Sequence, residues 1–267
     1  MRSTERDDRV SMIGRVDAVL GALGSRAETL GISEIARRTG IPKASTSRIV
    51  AELVEHGYLE RTDAGVGLGL RLFELGGRAA RPLDLRRLAL VHMADLRGAT
   101  GQTVHLAVLE GTEVVYIEIL RSRSTPPLPS RVGGRVPAYA TGVGKALLAD
   151  LPPERLEAHL PERLVPVGPR TVTDRELLVR ELAGIRERRI SYEREESAPD
   201  VGCAAVAIRG EDGEPIAAIS VSVHLGSADL AALGIAVATA ANAIAREAAK
   251  ARYRGAGGSA RRRRQAR

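Results

Sequence analysis

Apolar positions in the first eighty residues recur at helical spacing in three short blocks and then switch to alternation. From about Ser11 to Leu23, Met12, Val16, Val19, Leu20 and Leu23 fall on one helix face. A shorter second block has Ser33 at the N-cap, Ile35 and Ala36 pointing inward and Gly40 as its stop. A third opens near Pro42, which a first helical turn tolerates, and runs to about His56. Its Ile49, Val50, Leu53 and Val54 mark a buried side, and Gly57 ends it. Tyr58 to Arg61, a turn over Thr62 to Gly65, and Val66 to Leu70 then predict a hairpin. Two helices across a Gly-containing turn, followed by a hairpin, describe a winged helix-turn-helix.

Leu72 to Leu75 and Leu83 to Leu96 supply more helix, interrupted at Gly76-Gly77 and Pro82, and mark a joint between modules. Their leucines suit pairing between subunits, and packing within one domain would read the same. From Thr100 the period changes. Thr103 to Leu109 and Glu113 to Leu120 alternate and read as strands, followed by a Pro-, Ser- and Gly-rich loop over about 122–137. Helices are predicted from Thr141 to Ala149, after Pro152-Pro153, and from Thr173 to about Arg189, where Thr173-x-x-Glu176 forms a capping box. Val201 to Arg209 and Pro215 to His224 read as strands, and Asp229 to Lys250 as a closing Ala-rich helix. The order predicts an α+β chain: a winged helix-turn-helix over 11–78, a linker helix over 79–98 and an antiparallel α/β module over 99–250.

Composition narrows the function classes. The chain has 267 residues, which suits two domains, and 44% hydrophobic content, enough for a sizeable core. Aromatic residues are 2%, too few for stacked aromatic platforms. One Cys and five scattered His form neither a disulfide framework nor a zinc pattern, and no cofactor is called for. With no apolar run near the roughly 18 residues of a membrane span, and a charged start lacking a secretory centre, the expectation is a cytoplasmic protein without membrane contact.

The net charge of +7 is concentrated at one end. Residues 250–267 hold eight basic side chains and no acid, leaving 32 basic against 33 acidic residues elsewhere. After the Gly-rich stretch at 255–258, residues 251–267 read as a disordered tail, as do residues 1–10. The tail fits sequence-blind contact with DNA phosphates and equally a solvated end. A DNA-binding reading therefore rests on the third helix, where Lys43, Ala44, Ser45, Thr46, Ser47 and Arg48 crowd the first two turns. Small residues permit close approach to a major groove, hydroxyls bond phosphates or base edges, and Arg grips guanine or phosphate.

Catalytic patterns are missing. Thr141-Gly-Val-Gly-Lys145 lacks two fixed positions of a phosphate loop, since Tyr139 stands where a Gly is needed and Ala146 where Ser or Thr is needed. Gly65-x-Gly67-x-Gly69 lacks the strand before and the helix after that a dinucleotide site requires. No Gly-x-Ser-x-Gly elbow exists. Cys203 reads as a small buried hydrophobe and Glu195-Glu196 as a solvated loop. The chain is read as a non-enzyme. The alternatives kept open are a small-molecule enzyme or sensor without DNA binding, and an architectural DNA-binding protein without a ligand.

The segments Ile32 to Lys43, Arg48, Gly57 to Arg61 and Leu68 to Gly76 closely resemble the N-terminal domain of the IclR family of bacterial transcription regulators. Tyr139 to Ala149 and Ile219 to Ser222 resemble that family's effector-binding domain. The resemblance implies a GAF-like ligand domain and dimers that pair into tetramers on double-stranded operator DNA. It further implies a repressor that senses a small organic acid or aromatic metabolite. Carried over position by position, it adds Ser33 and Arg61 to the DNA-binding set. It places the effector against Gly142, Val143, Glu193, Cys203, Ser220 and Ser222, with Leu128, Val136 and Val201 as apolar walls. Ser220 and Ser222 lie two apart and so share one face of a strand; hydroxyls satisfied inside a sheet are the alternative. The chain departs from the family's pattern where Glu193 replaces the usual Asp, Asp200 a Gly and Val223-His224 a Gly-Pro pair, where Ala64 to Gly67 replace polar or basic wing residues, and where Ser47 replaces a frequent His or Tyr.

Overall fold

The computed structural model describes residues 11–24, 28–124, 128, 130–251 and 253. The termini read as disordered, 1–10 and nearly all of 251–267, lie outside the described residues. The chain divides into two compact units, Met1–Ala80 and Arg81–Arg267.

In the first unit, helix α1 (Met12–Ala22) is capped by Ser11, whose hydroxyl accepts the Gly14 N–H at 3.1 Å. Helix α2 (Ile32–Thr39) ends at Gly40, whose φ of 72° is the left-handed geometry of a helix stop. Its N-cap is Gly31, not Ser33, which sits exposed inside the first turn. Helix α3 (Lys43–Glu55) follows, then strands β1 (Leu59–Thr62) and β2 (Gly65–Leu68), paired antiparallel, and helix α4 (Leu70–Gly76). The core joins Val19, Leu23, Ile35, Ile49, Val50, Leu53, Leu59 and Val66. Leu30 exchanges both backbone hydrogen bonds with Val66 at 3.0 and 2.9 Å, so the hairpin is anchored to the segment before α2.

The second unit opens with helix α5 (Ala80–Thr100), which absorbs Pro82 in its first turn and runs past the predicted end at 98. Six strands form one antiparallel sheet in the order β5-β4-β3-β8-β7-β6: β3 (Thr103–Glu110), β4 (Glu113–Leu120), β5 (Arg135–Pro137), β6 (Ser191–Arg194), β7 (Val201–Arg209) and β8 (Pro215–His224). Helices α6 (Gly142–Asp150), α7 (Pro153–Leu156) and α8 (Arg175–Arg188) lie between β5 and β6 in the chain, and α9 (Leu230–Lys250) closes it. The short strands β5 and β6 were invisible to alternation because three or four residues repeat the two-residue period too few times to stand out. Helix α8 is capped by Asp174, which accepts the Leu177 N–H at 2.9 Å, and not by Thr173.

Side-chain alternation splits the sheet into two cores. Leu85, Ala89, Met93 and Leu96 of α5 and Val237, Ala241 and Ile244 of α9 pack with Val104, Leu106, Val221 and Val223. Val143, Ala146 and Leu147 of α6 and Leu178, Leu182 and Ile185 of α8 pack with Ala107, Tyr116, Cys203, Ala205 and Ala218. Helix α9 is long and apolar enough to cross a bilayer by length and composition, with a mean hydropathy of 1.3, which the reading that no run approaches a span overlooked. Here its apolar face is part of the first core. Helices on both faces of an antiparallel sheet, beside a winged helix-turn-helix, make this an α+β chain.

Candidate nucleic-acid interface and ligand site

Helix α3 exposes Lys43, Ala44 and Arg48 to solvent, with Ser45 and Ser47 half-buried. Thr46 is the exception. It is fully buried, and its hydroxyl lies 3.2 Å from the carbonyls of both Ile41 and Pro42, to which it donates. A Thr turned into the core cannot meet a groove, so the structure removes it from the predicted contact set. The hydroxyl instead closes the turn between α2 and α3. Ser33 is exposed in the first turn of α2, where free N–H groups favour phosphate. Arg61 is exposed on β1, opposite Val66. On α2, Glu34 is held down to about 2 by the guanidinium groups of Arg37 and Arg38, which bond it at 2.7 to 2.9 Å.

In the second unit, four strands bring polar side chains onto the face covered by α6. Glu193 of β6 pairs in register with Cys203 of β7, Cys203 with Ser222 of β8, and Ser222 with Thr103 of β3. One row along, Ala205 pairs with Ser220 and Ser220 with His105. All the polar members of these rows are buried. Gly142, first residue of α6, lies so close that an added Cβ would fall 2.9 Å from Cys203 Sγ. Thr141 caps α6 by accepting the Gly144 N–H at 3.0 Å. A first turn leaves the N–H groups of Gly142 and Val143 without intrahelical partners, and Gly142 itself sits against Cys203. Gly142, Val143, Glu193, Cys203, Ser220 and Ser222 are therefore brought together.

The apolar positions are gathered less completely. Val136 on β5 packs against the α6-side core, and Val201 shares the alternation of Cys203. Leu128 is half-buried and belongs to neither core of this unit.

Burial dominates the electrostatics. It raises Glu193 from the ordinary carboxylate range to about 7, although Oε1 accepts the backbone N–H groups of Glu196 at 2.6 Å and Ser197 at 3.0 Å. The shift favours the protonated carboxyl, which can donate as well as accept. The same desolvation, with the Glu193 charge, pushes the Cys203 thiol up to about 12. Such a thiol is inert as a nucleophile. Burial also drives His105 down to about 3, so its imidazole is neutral.

Two features escaped sequence reasoning. His105 sat in plain alternation within its strand, but a histidine on an apolar strand gives no hint of its partners. Glu196, read as part of a solvated loop, is buried and lies 2.5 Å from Lys145 Nζ. Lys145 is completely buried and also bonds Glu181 of α8 at 2.6 Å. Committed to two carboxylates, Lys145 is unavailable to a phosphate, which is the structural reason the glycine-lysine run of α6 is not a nucleotide loop. Among the described residues no cluster of three or more His, Cys, Asp or Glu side chains is arranged for a metal.

A winged helix with an exposed, small and basic first turn on its third helix, carried on the same chain as a sheet lined with buried polar groups, defines a DNA-binding regulator with a ligand domain. Comparison with known proteins agrees. Residues 13–63 match the IclR helix-turn-helix domain and residues 77–246 match the bacterial transcriptional regulator IclR C-terminal domain. The chain is 32% identical to the regulator XynR of Escherichia coli over 84% of its own length and 90% of that protein. It is 34% identical to the E. coli regulator KdgR, over 82% of this chain and 84% of the other. A crystal structure of an IclR homolog from Microbacterium hydrocarbonoxydans, complexed with 4-hydroxybenzoate, superposes with a TM-score of 0.80 at 36% identity, covering 89% of this chain and 98% of that one. The chain belongs to the IclR family. Its relatives are named as transcriptional regulators, not enzymes, and the chain is a DNA-binding regulator with a small-molecule effector domain.

Proposed function

We propose that this protein is a cytoplasmic repressor that binds double-stranded operator DNA as a homodimer or a dimer of dimers and leaves it when a small organic acid or aromatic metabolite binds the second unit. Lys43, Ala44, Ser45, Ser47 and Arg48 enter the major groove, and Ser33 and Arg61 contact phosphates. The effector's carboxylate meets the Gly142 and Val143 N–H groups, and Glu193, Cys203, Ser220 and Ser222 contact its remainder, with Leu128, Val136 and Val201 as walls. The observation that carries the reading is the row of buried polar side chains from Glu193 to Ser222 running beside a helix N-terminus. These groups already bond one another and the backbone, as Glu193 does to Glu196 and Ser197, and together they offer donors and acceptors that an effector's polar atoms can engage. The homolog bound to 4-hydroxybenzoate supports an aromatic acid as the ligand class. For a ligand to release DNA it must bind the two arrangements of the protein unequally.

The test is a gel-shift titration on the promoter next to the protein's own gene, with 4-hydroxybenzoate and related acids added. Arg48→Ala is expected to weaken binding by about 1–3 kcal/mol while the fold and oligomeric state persist. Release of wild-type protein by the acids, abolished in a Ser220→Ala/Ser222→Ala variant, supports the effector assignment; unchanged DNA affinity of Arg48→Ala defeats the groove assignment.

A further inference from the structure

His105 belongs to no position carried over from the family resemblance, yet it is the hub of one end of the polar row. It is buried at 3% exposure, with Nε2 3.0 Å from Ser130 Oγ and Nδ1 3.5 Å from Ser222 Oγ. Its ring stacks at a tilt against Tyr116, with centroids 5.2 Å apart. Ser130 belongs to the segment between β4 and β5 and is itself buried, and its carbonyl accepts from Arg121. The imidazole thus bridges that segment to the strand carrying both serines of the ligand site.

A neutral imidazole owns one donor and one acceptor. With Ser130 on one nitrogen and Ser222 on the other, the tautomer dictates whether the Ser222 hydroxyl gives its proton to the ring or keeps it for something else. Among the described residues no uncommitted cation is buried at this end. Among the described groups around His105, Tyr116 on β4 is neutral and β8 contributes serines, while Arg121, whose charge opposes protonation of the ring, is exposed and engaged with the Ser130 carbonyl. Lys145 on α6 is held by Glu181 and Glu196. A carboxylate docked here would find the Arg121 guanidinium exposed and already bonded to the Ser130 carbonyl, whereas a hydroxyl, which both donates and accepts, satisfies either tautomer.

We propose that His105 is a specificity-determining residue of the effector site: wedged between Ser130 and Ser222, it fixes the polarity that Ser222 shows the ligand and selects an uncharged, hydroxyl-bearing end. This rests on the effector occupying the α6 face of the sheet, and it gives the ligand a direction, with its carboxylate toward Gly142 and its hydroxyl toward Ser222.

Two measurements on the full chain test it. The first needs no ligand: ring-nitrogen NMR of the histidines, with the His105 signals assigned by their loss in His105→Gln. The expected result is one neutral tautomer from pH 4 to 8, perturbed by Ser222→Ala and by Ser130→Ala. A ring that titrates near its ordinary value, or ring nitrogens indifferent to Ser222→Ala, overturns the proposal whatever the ligand. The second compares binding of 4-hydroxybenzoate and benzoate by calorimetry. Wild type is expected to prefer the hydroxylated acid at least tenfold. His105→Leu should erase that preference while leaving benzoate affinity within twofold, and His105→Gln should restore most of it. An equal loss for both acids in His105→Leu would show a merely structural role and overturn the proposal. If wild type binds neither acid while the ring behaves as expected, the aromatic-acid reading of the effector fails and the assignment of His105 stands on the NMR result.

Discussion

His224 Nδ1 lies 2.8 Å from Asp200 Oδ2. The family resemblance implies a Gly at position 200 and a Pro at position 224, and the two side chains that stand there instead meet across the start of β7. Asp200 adopts a φ of 58°, the left-handed conformation that glycine accepts without cost. The chain thus keeps the backbone shape of a glycine turn while placing a side chain there, and His224 supplies that side chain with a partner. Both groups are largely exposed, so the pair itself contributes little.

Replacing Asp200 by Gly should therefore cost almost nothing. Relief of the left-handed backbone offsets the lost contact and the added chain entropy, and stability is expected to stay within about 1 kcal/mol of wild type. Urea unfolding of Asp200→Gly measures this; a loss well beyond that margin would mean the pair is structural.

Lys145 predicts the opposite extreme. Its ammonium is completely buried between Glu181 and Glu196, and burial already raises Glu196. Lys145→Met leaves two carboxylates without their cation, at a cost of about 3–5 kcal/mol. The check is a urea-unfolding midpoint. A Lys145→Met/Glu196→Gln/Glu181→Gln variant should recover much of the loss.

Thr46→Val separates a core position from a contact position. Removing a hydroxyl that donates to the Ile41 and Pro42 carbonyls should lower stability by about 1 kcal/mol. Operator preference, measured by competition between single-base variants, should not change. A shift in base preference would return Thr46 to the groove.

The pH dependence of stability follows from two buried groups of opposite sign. Glu193, raised to about 7, binds its proton more tightly folded than unfolded, so its contribution is complete below the ordinary carboxylate range and is lost as pH rises through 7. His105, lowered to about 3, stays neutral when folded but gains a proton when unfolded, so stability is lost as pH falls below the ordinary imidazole value of 6.5. The two oppose each other between about 4.5 and 6.5. Glu193→Gln should flatten the decline from pH 5 to 7.5, and His105→Gln should flatten the decline from pH 6.5 to 4. Denaturant titrations across that range decide both. An unchanged pH profile in Glu193→Gln would show that its carboxyl titrates normally.

The winged helix was legible because its cues are local: the glycine at 40, the proline at 42 and the apolar spacing from Ile49 to Leu53 each act within one turn. The outward face of α3 was legible as composition but not residue by residue, since helical periodicity alone does not say that Thr46 caps a turn with its hydroxyl. In the second unit, Ser220 and Ser222 could be placed on one face because β8 is long enough to alternate, whereas Cys203 joined them only through the family resemblance. Glu193 could be reached only through family resemblance, because β6 has four residues and becomes a strand only by pairing with β7. His105 and Lys145 draw their meaning from partners 25 to 117 residues away in the chain, which no short-range pattern encodes.

Gly144 packs against the turn before α6 so closely that a Cβ there would run into the Ala138 carbonyl, and Gly142 does the same toward Cys203. The Gly-Val-Gly-Lys run is thus the imprint of a tight seam, with its lysine folded away into an internal ion pair. Sequence scanners that reward glycines followed by lysine will keep mistaking such seams for nucleotide cradles, and what tells them apart is whether the ammonium has somewhere else to go.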